Sequence, residues 1–258
     1  MALLSRGALK SLFMRGMVPT QVNFEDLIDS SINKIDDGFS HDPNEGFIIS
    51  AQGPKKKLIS FYENMRDPNS AFNLSLNPNR HSKGLSFNTL IEDEDGEKEK
   101  SVLFLRNNGN IGIRTTSPRF RLDVNGMLGH VGRVGTYRIG RKPANKQWQI
   151  VVGDLTGINA FEIIAQVGGR KGRGKYAITR AVAVAAHGKG SIHQIRTSYG
   201  WFWQKIRFRW RGSKDNYRLE AKTMGNYGYI NEETKEPVKF NFYVSKLWDD
   251  TTMNNTDF

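Results

Sequence analysis

Residue types and spacing come nearest to chemistry between Trp201 and Arg211. If this segment is a strand, Trp201, Trp203, Lys205, Arg207, Arg209 and Arg211 share one face. Phe202, Gln204, Ile206, Phe208 and Trp210 share the other, which would be core. The first face is a row of cations led by two indoles. Such a row can stack the bases of a single-stranded nucleic acid. It can also form a protein interface rich in Trp and Arg, or pack by cation–π contacts on a sheet face half covered by loops. Trp rings on a sheet also stack sugars.

Other reactive types fall short of a site. Gly169 to Lys175 fits G-x-x-x-x-G-K, but Tyr176 stands where a phosphate loop needs a Ser or Thr hydroxyl for magnesium. The residues after it alternate as a strand does, with Ile178, Val182 and Val184 against Thr179, Ala181 and Ala183. A β-hairpin with a basic tip is expected there. The acidic run from Glu92 to Asp95 before Gly96 lacks the register of a calcium loop and reads as a solvated hairpin tip. His41, His81, His130, His187 and His193 have no metal-ligand spacing. Ser117, Ser191 and Ser198 sit in no nucleophile elbow. No paired carboxylates suggest glycosidase chemistry. The sequence thus assigns no catalytic, cofactor-binding or metal residue, and the expectation is a protein that is not an enzyme.

Composition narrows the rest. The 258 residues contain no cysteine, which excludes a disulfide scaffold and thiolate chemistry. No run approaches the about 18 apolar residues of a membrane span. Net charge is +12, unevenly spread. Residues 1–100 carry 12 Lys/Arg against 15 Asp/Glu, and residues 101–258 carry 26 against 11. That asymmetry points to a partner of negative potential, whether nucleic acid, an acidic protein surface or a cell-surface polyanion.

The elements that must position these residues follow from periodicity. Met1 to Val18 is basic and apolar, with Arg6, Lys10 and Arg15. It reads as a docking arm, with an organelle transit peptide as the rival; the cations break up any secretory signal. Pro19 closes the arm, and Asn23 is the expected N-cap of a helix of about four turns. Its stripe would be Ile28, Ile32, Ile35 and Phe39, with Gly38 as the stop. From Gly46 the period becomes two. Strands are expected at Phe47–Ser50, Leu58–Glu63, Ala71–Leu76, Leu85–Ile91 and Ser101–Arg106, a meander with one buried face. Asn108-Gly109 signals a hairpin, and Pro118 marks a corner or edge. A closing strand runs from Phe240 to Trp248, and the tail from Asp249 to Phe258 reads as mobile.

One stretch carries a family resemblance. Gly109-Asn110-Ile111-Gly112-Ile113, Thr115-Thr116-Ser117-Pro118 and Leu122-Asp123-Val124-Asn125-Gly126 resemble the GNVGIGTTxP…LDVNG repeat of phage tail-fibre and adhesin-like proteins. Arg114 replaces the usual glycine. The segment from Val22 to Asp29, and a C-terminal block containing Ala160–Ile163, Gly174–Ala177, Tyr199–Trp203 and Lys246–Trp248, resemble accessory proteins of contractile injection systems. These are the phage-tail-like particles of bacteria.

The resemblance implies a structural or attachment role: a cap adaptor or fibre-like attachment docking on tube, sheath, cap or baseplate subunits. It implies a homo-oligomer, trimeric or matched to sixfold rings. Such a particle would be assembled in the bacterial cytoplasm and released from the cell. A receptor- or glycan-binding tail-fibre adhesin and a basic nucleic-acid-binding module are the alternatives. The expected fold is mainly β: a docking arm and short helix (1–45), a β-meander (46–126) and a basic antiparallel β-sandwich, jelly-roll-like (127–258). Leu4, Leu12, Phe13, Arg15, Trp201, Trp203, Arg207, Arg209 and Arg211 are the expected protein-interface residues.

Overall fold

Antiparallel sheets dominate the chain, described from a computed structural model that covers residues 4–31, 36–64, 66–93, 96–169, 172 and 174–253. Two units form, Met1–Gly129 and His130–Phe258.

The first unit opens with two short helices. In α1 (Arg6–Leu12), Ser5 caps the start and its Oγ accepts the Ala8 N–H at 3.2 Å. In α2 (Gln21–Asp29), the Thr20 N–H donates to Asn23 Oδ1 at 2.9 Å. Asn23 is therefore not the N-cap but its partner one turn on, reaching back as in a capping box. The helix also stops at Ser30, short of Gly38, and Phe39 opens strand β1 (Phe39–Asp42) instead of completing a helical stripe. Ile32 and Ile35 lie outside the described residues. Strand β1 pairs with β2 (Gly46–Ile49) in a separate hairpin.

The expected meander is present as a six-stranded sheet. Its strands, in spatial order, are β3 (Lys57–Phe61), β4 (Phe72–Leu76), β5 (Gly84–Asp93), β6 (Gly96–Arg106), β7 (Ile111–Ile113) and β8 (Leu122–Val124). The acidic run falls at the turn between β5 and β6, with Glu94 and Asp95 outside the described residues.

The burial of this sheet runs against expectation. On one face lie Ile59 and Phe61, then Phe72, Leu74 and Leu76, then Leu85 and Phe87, then Leu103 and Leu105, then Ile111 and Ile113, then Leu122 and Val124. None of these side chains is buried, and Phe72 and Leu122 are each 53% exposed. The buried positions are on the other face, and most are polar: Asn73, Ser75, Ser86 and Asn88. They satisfy one another. The Asn88 Nδ2 donates to Asn73 Oδ1 at 2.9 Å and to Ser75 Oγ at 2.8 Å, while the Ser86 hydroxyl lies 2.6 Å from Asn88 Oδ1 and 2.8 Å from Ser101 Oγ. The alternation in sequence is real, but its apolar set faces outward. Besides Pro118, Phe104 is the only buried apolar side chain among the described residues of this unit.

The second unit has a core of its own. A five-stranded sheet runs in the order β13 (Lys189–Tyr199), β12 (Tyr176–Ala186), β11 (Ile158–Gly168), β18 (Lys239–Trp248), β9 (Arg138–Pro143). A three-stranded sheet runs β10 (Gln149–Leu155), β15 (Asn216–Thr223), β14 (Ile206–Ser213). A small hairpin, β16 (Tyr229–Asn231) with β17 (Glu236–Pro237), and a one-turn helix, α3 (Asp250–Met253), complete it.

The inner faces of the two larger sheets share one cluster, which makes the expected β-sandwich. Strand β12 contributes small residues, Ala177, Thr179, Ala181, Ala183 and Ala185. Its neighbours contribute large ones, Phe161, Ile163, Phe240 and Phe242, and the opposing sheet Ile206, Phe208, Leu219 and Tyr217. Small against large is how two sheets interdigitate at close range. Each fully buried Val, Leu, Ile or Phe contributes about 1.5–3 kcal/mol, against about 1–2 kcal/mol to order each residue's backbone. The second unit sets a large buried apolar cluster against that cost; among the described residues of the first, Phe104 and Pro118 are the buried apolar side chains.

Candidate interaction surfaces

The outer face of the three-stranded sheet carries the arginine row. Strand β14 holds Arg207, Arg209 and Arg211 opposite Lys222, Glu220 and Arg218 of β15. Five cations therefore surround one carboxylate. Glu220 is buried, and it accepts from Arg209 Nη2 at 2.8 Å and from Arg218 Nε at 2.7 Å. Burial pushes the Glu220 carboxyl up, but the hydrogen bonds and charges of Arg218 and Arg209 outweigh this and hold it below the usual range. The Arg209 guanidinium also lies 4.0 Å from the Trp148 ring centre, and the Lys222 ammonium 4.8 Å from it. So Arg209 is engaged within the fold. Arg207 and Arg211 are exposed and have no ion-pair partner among the described residues.

The two indoles leave this row. Strand β14 begins at Ile206, and Trp201–Trp203 form a turn closed by Gln204 N–H donating to the Trp201 carbonyl at 3.0 Å. Gly200, at φ +95° and with a Cβ there meeting the Gly174 carbonyl at 2.2 Å, bends the chain at the end of β13. The turn is completed by the Lys205 N–H donating to the Trp203 carbonyl at 2.9 Å, so extended backbone, and with it the alternation, begins only at Ile206. Trp201 and Trp203 stack on each other with ring centres 4.8 Å apart. Phe202, expected in the core, meets Trp203 edge-on at 4.7 Å and is 73% exposed. Gln204 is buried as expected, although its Oε1 has no hydrogen-bond partner among the described residues.

That turn adjoins the basic hairpin. Strands β11 and β12 pair out to Gly168 opposite Tyr176, and the Gly169 N–H donates to the Lys175 carbonyl at 2.6 Å. The P-loop lookalike is thus the tip of a hairpin, as expected from its failed Ser/Thr position; Arg170, Lys171 and Arg173 lie outside the described residues. Tyr176 and Tyr199 pair across β12 and β13 with rings 6.4 Å apart. The result is an exposed aromatic group, Tyr199, Trp201, Phe202 and Trp203, beside Gly174 at the end of the hairpin. Sequence reasoning missed Trp148, Glu220, Tyr176 and Tyr199 as members of these surfaces. The isolated Glu220 in a cationic stretch was the one available signal.

The N-terminal arm is a helical pair. The Leu4 N–H donates to Ser30 Oγ at 3.0 Å, and Phe13 meets Phe24 edge-on at 5.5 Å. Leu4 and Leu12 are half-buried, and Phe13 and Arg15 are exposed. No residue of either helix is buried, and Val18, Val22 and Ile28 are bare.

The motif region closes the six-stranded sheet. Gly109, at φ +86°, turns β6 back into antiparallel β7. Then Thr115 to Arg121 carry the chain round so that β8 runs parallel to β7, tied by Ile111 N–H to the Arg121 carbonyl and Asn125 N–H to the Ile113 carbonyl, both at 2.9 Å. Asn110 Nδ2 donates to the Pro118 carbonyl at 3.2 Å. Arg114 adopts φ +57°, left-handed backbone of the kind that favours glycine. Gly112 has a different reason: a Cβ there would sit 2.1 Å from the Thr115 carbonyl.

No protein-family model and no curated protein matches the sequence. Among solved structures, the chain is similar to the tailspike protein of Acinetobacter phage vB_ApiP_P1, at 10% identity and a TM-score of 0.24, over 47% of this chain and 24% of the tailspike. The match thus spans about a quarter of the tailspike's length. A likeness that low carries no argument about fold or function.

Proposed function

We propose that this chain is a non-enzymatic structural component of a contractile, phage-tail-like particle, docking on other particle proteins as a cap adaptor or a fibre-like attachment. The observation that carries the reading is the segment from Gly109 to Gly126. It resembles the tail-fibre repeat in sequence, and three of its signature residues each hold the corner in their own way. Gly109 turns the chain, Gly112 admits Thr115, and Asn110 holds Pro118. The segment organises no reactive group. It ends a sheet, as β7 and β8 are the last two strands of the six. The exposed apolar pair of helices, α1 and α2, is the docking element.

Removing residues 1–20 tests this. The sandwich should keep its thermal midpoint, because its core draws on residues 144–244 alone. Incorporation into particles should be lost. Particles of normal composition carrying the truncated chain would refute the docking role.

A second reading, a glycan- or receptor-binding adhesin, is favoured by one feature: Trp201, Phe202 and Trp203 are exposed together on one turn. A glycan array probed with the full chain and with Trp201→Ala should then show hits that the variant loses; an array without hits removes this reading.

A further inference from the structure

Where edge strand β9 meets edge strand β10, the sandwich opens into a cleft of about 580 Å³. We propose that this cleft binds a phosphate monoester whose organic part is about the size of a sugar. The inference does not rest on the particle reading.

Three observations select the ligand. First, the inner face of the five-stranded sheet changes character at β9. Lys142 lies opposite Phe240 of β18, so Lys142, Gly140 and Arg138 continue the face that carries Ala144 into the core. On β18 and β11 that face holds Phe240, Phe242, Val244, Phe161 and Ile163. On β9 it turns cationic. Gly140 marks the boundary: a Cβ there would meet the Phe242 ring at 2.5 Å, and the buried Phe242 is part of the cleft lining.

Second, the cleft has positive charge to spare. Arg138, Arg141 and Lys142 line it, and none has an ion-pair partner among the described residues. Lys142 is half-buried, so its unpaired ammonium is partly withdrawn from water. Arg218, also in the lining, is already held by Glu220. Asp154 is the one carboxylate of the lining. Three unpaired cations against one carboxylate leave two positive charges uncompensated. A phosphate monoester brings about −1.5 to −2 at neutral pH, whereas each phosphodiester of a nucleic acid brings about one charge. The guanidinium fork also matches phosphate oxygens in pairs.

Third, the shape suits a small ester. The volume lies within the roughly 300–1,000 Å³ of small-molecule sites and exceeds what a bare phosphate ion needs. Ile139, Ile150 and Val151 line it beside the cations and give the organic part apolar surface to lie on. The β10 side is bulged: its register against β15 shifts between Val152 and Leu155, and Asp154 there takes φ +56°. Bulges concentrate at sheet edges and beside sites, where they re-aim a side chain. A single-stranded nucleic acid instead needs a groove that follows its backbone.

The test is a calorimetric titration of the full-length chain, at neutral pH and low salt, with glucose-6-phosphate, inorganic phosphate, glucose and an oligothymidylate. Glucose-6-phosphate should bind saturably, one per chain. Inorganic phosphate should bind more weakly, because it lacks the part that meets Ile139 and Ile150, and glucose should not bind. Arg138→Gln combined with Lys142→Gln should weaken the ester by about tenfold or more. Lys189→Gln combined with Lys214→Gln, the same charge change at exposed positions outside the cleft lining, should leave it unchanged. Arg138 is exposed, so Arg138→Gln alone serves if the double variant does not fold, and it should still lose several-fold. No saturable binding of either phosphate overturns the proposal, as does an equal loss in the Lys189/Lys214 variant, which would mean diffuse charge. Glucose or inorganic phosphate binding as tightly as the ester would overturn the ligand class. Tighter binding of the oligothymidylate, lost in the Arg138/Lys142 variant, would assign the cleft to nucleic acid instead.

Discussion

Glu220 shows how a single residue decides what the arginine row can do. Its buried carboxylate binds Arg209 and Arg218 into the sheet, so the row is a network whose ends, Arg207 and Arg211, have no ion-pair partner among the described residues, rather than a uniform cationic strip. Because its folded pKa is depressed, Glu220 contributes stability that is present above its unfolded value, about 4.3, and lost as pH falls through the folded value. The thermal midpoint of the second unit should therefore drop on acidification below about pH 4.3. In Glu220→Gln the midpoint at neutral pH should be lower and its acid dependence shallower. An unchanged acid profile in that variant would show that the network carries no linkage. None of this was legible from the pattern of β14, because Glu220 lies on the neighbouring strand and strand pairing is not written in local spacing.

At the scale of elements, sequence reading succeeded where a local rule acts alone. Strands β4, β5 and β18, the Asn108-Gly109 hairpin and the basic hairpin were legible because period two and turn chemistry fix them. It failed where a turn or a cap shifts a boundary. The turn from Trp201 to Lys205 ends the strand reading of Trp201 and Trp203, and Thr20 takes the cap assigned to Asn23. The direction of burial was also not legible: Phe72, Leu74 and Leu76 alternate with Asn73 and Ser75 whichever face is covered. For the motif corner, Gly112 is the residue whose change tests the geometry. Gly112→Ala places a methyl against the Thr115 carbonyl, and such overpacking costs about 1–3 kcal/mol. Denaturant unfolding of the full chain should show that loss in the first unit and leave the sandwich transition unchanged. Equal stability of both would mean the β7–β8 corner relaxes without cost.

At the scale of the whole molecule, two units divide the work by charge and by core. The His130–Phe258 unit folds around its own apolar cluster and bears the net charge of +12, with the arginine ends and the aromatic turn on its surface. The Met1–Gly129 unit is electrically balanced, exposes apolar helices and an apolar sheet face, and ends in the fibre-like corner. Membership of a particle is decided by locating an epitope-tagged full-length chain in purified particles, by electron microscopy combined with quantitative protein composition. The tag should appear at a fixed place on sheath-bearing particles, in a constant copy number per particle. A chain absent from such particles, or present in no fixed ratio to sheath and tube, would contradict the proposed function.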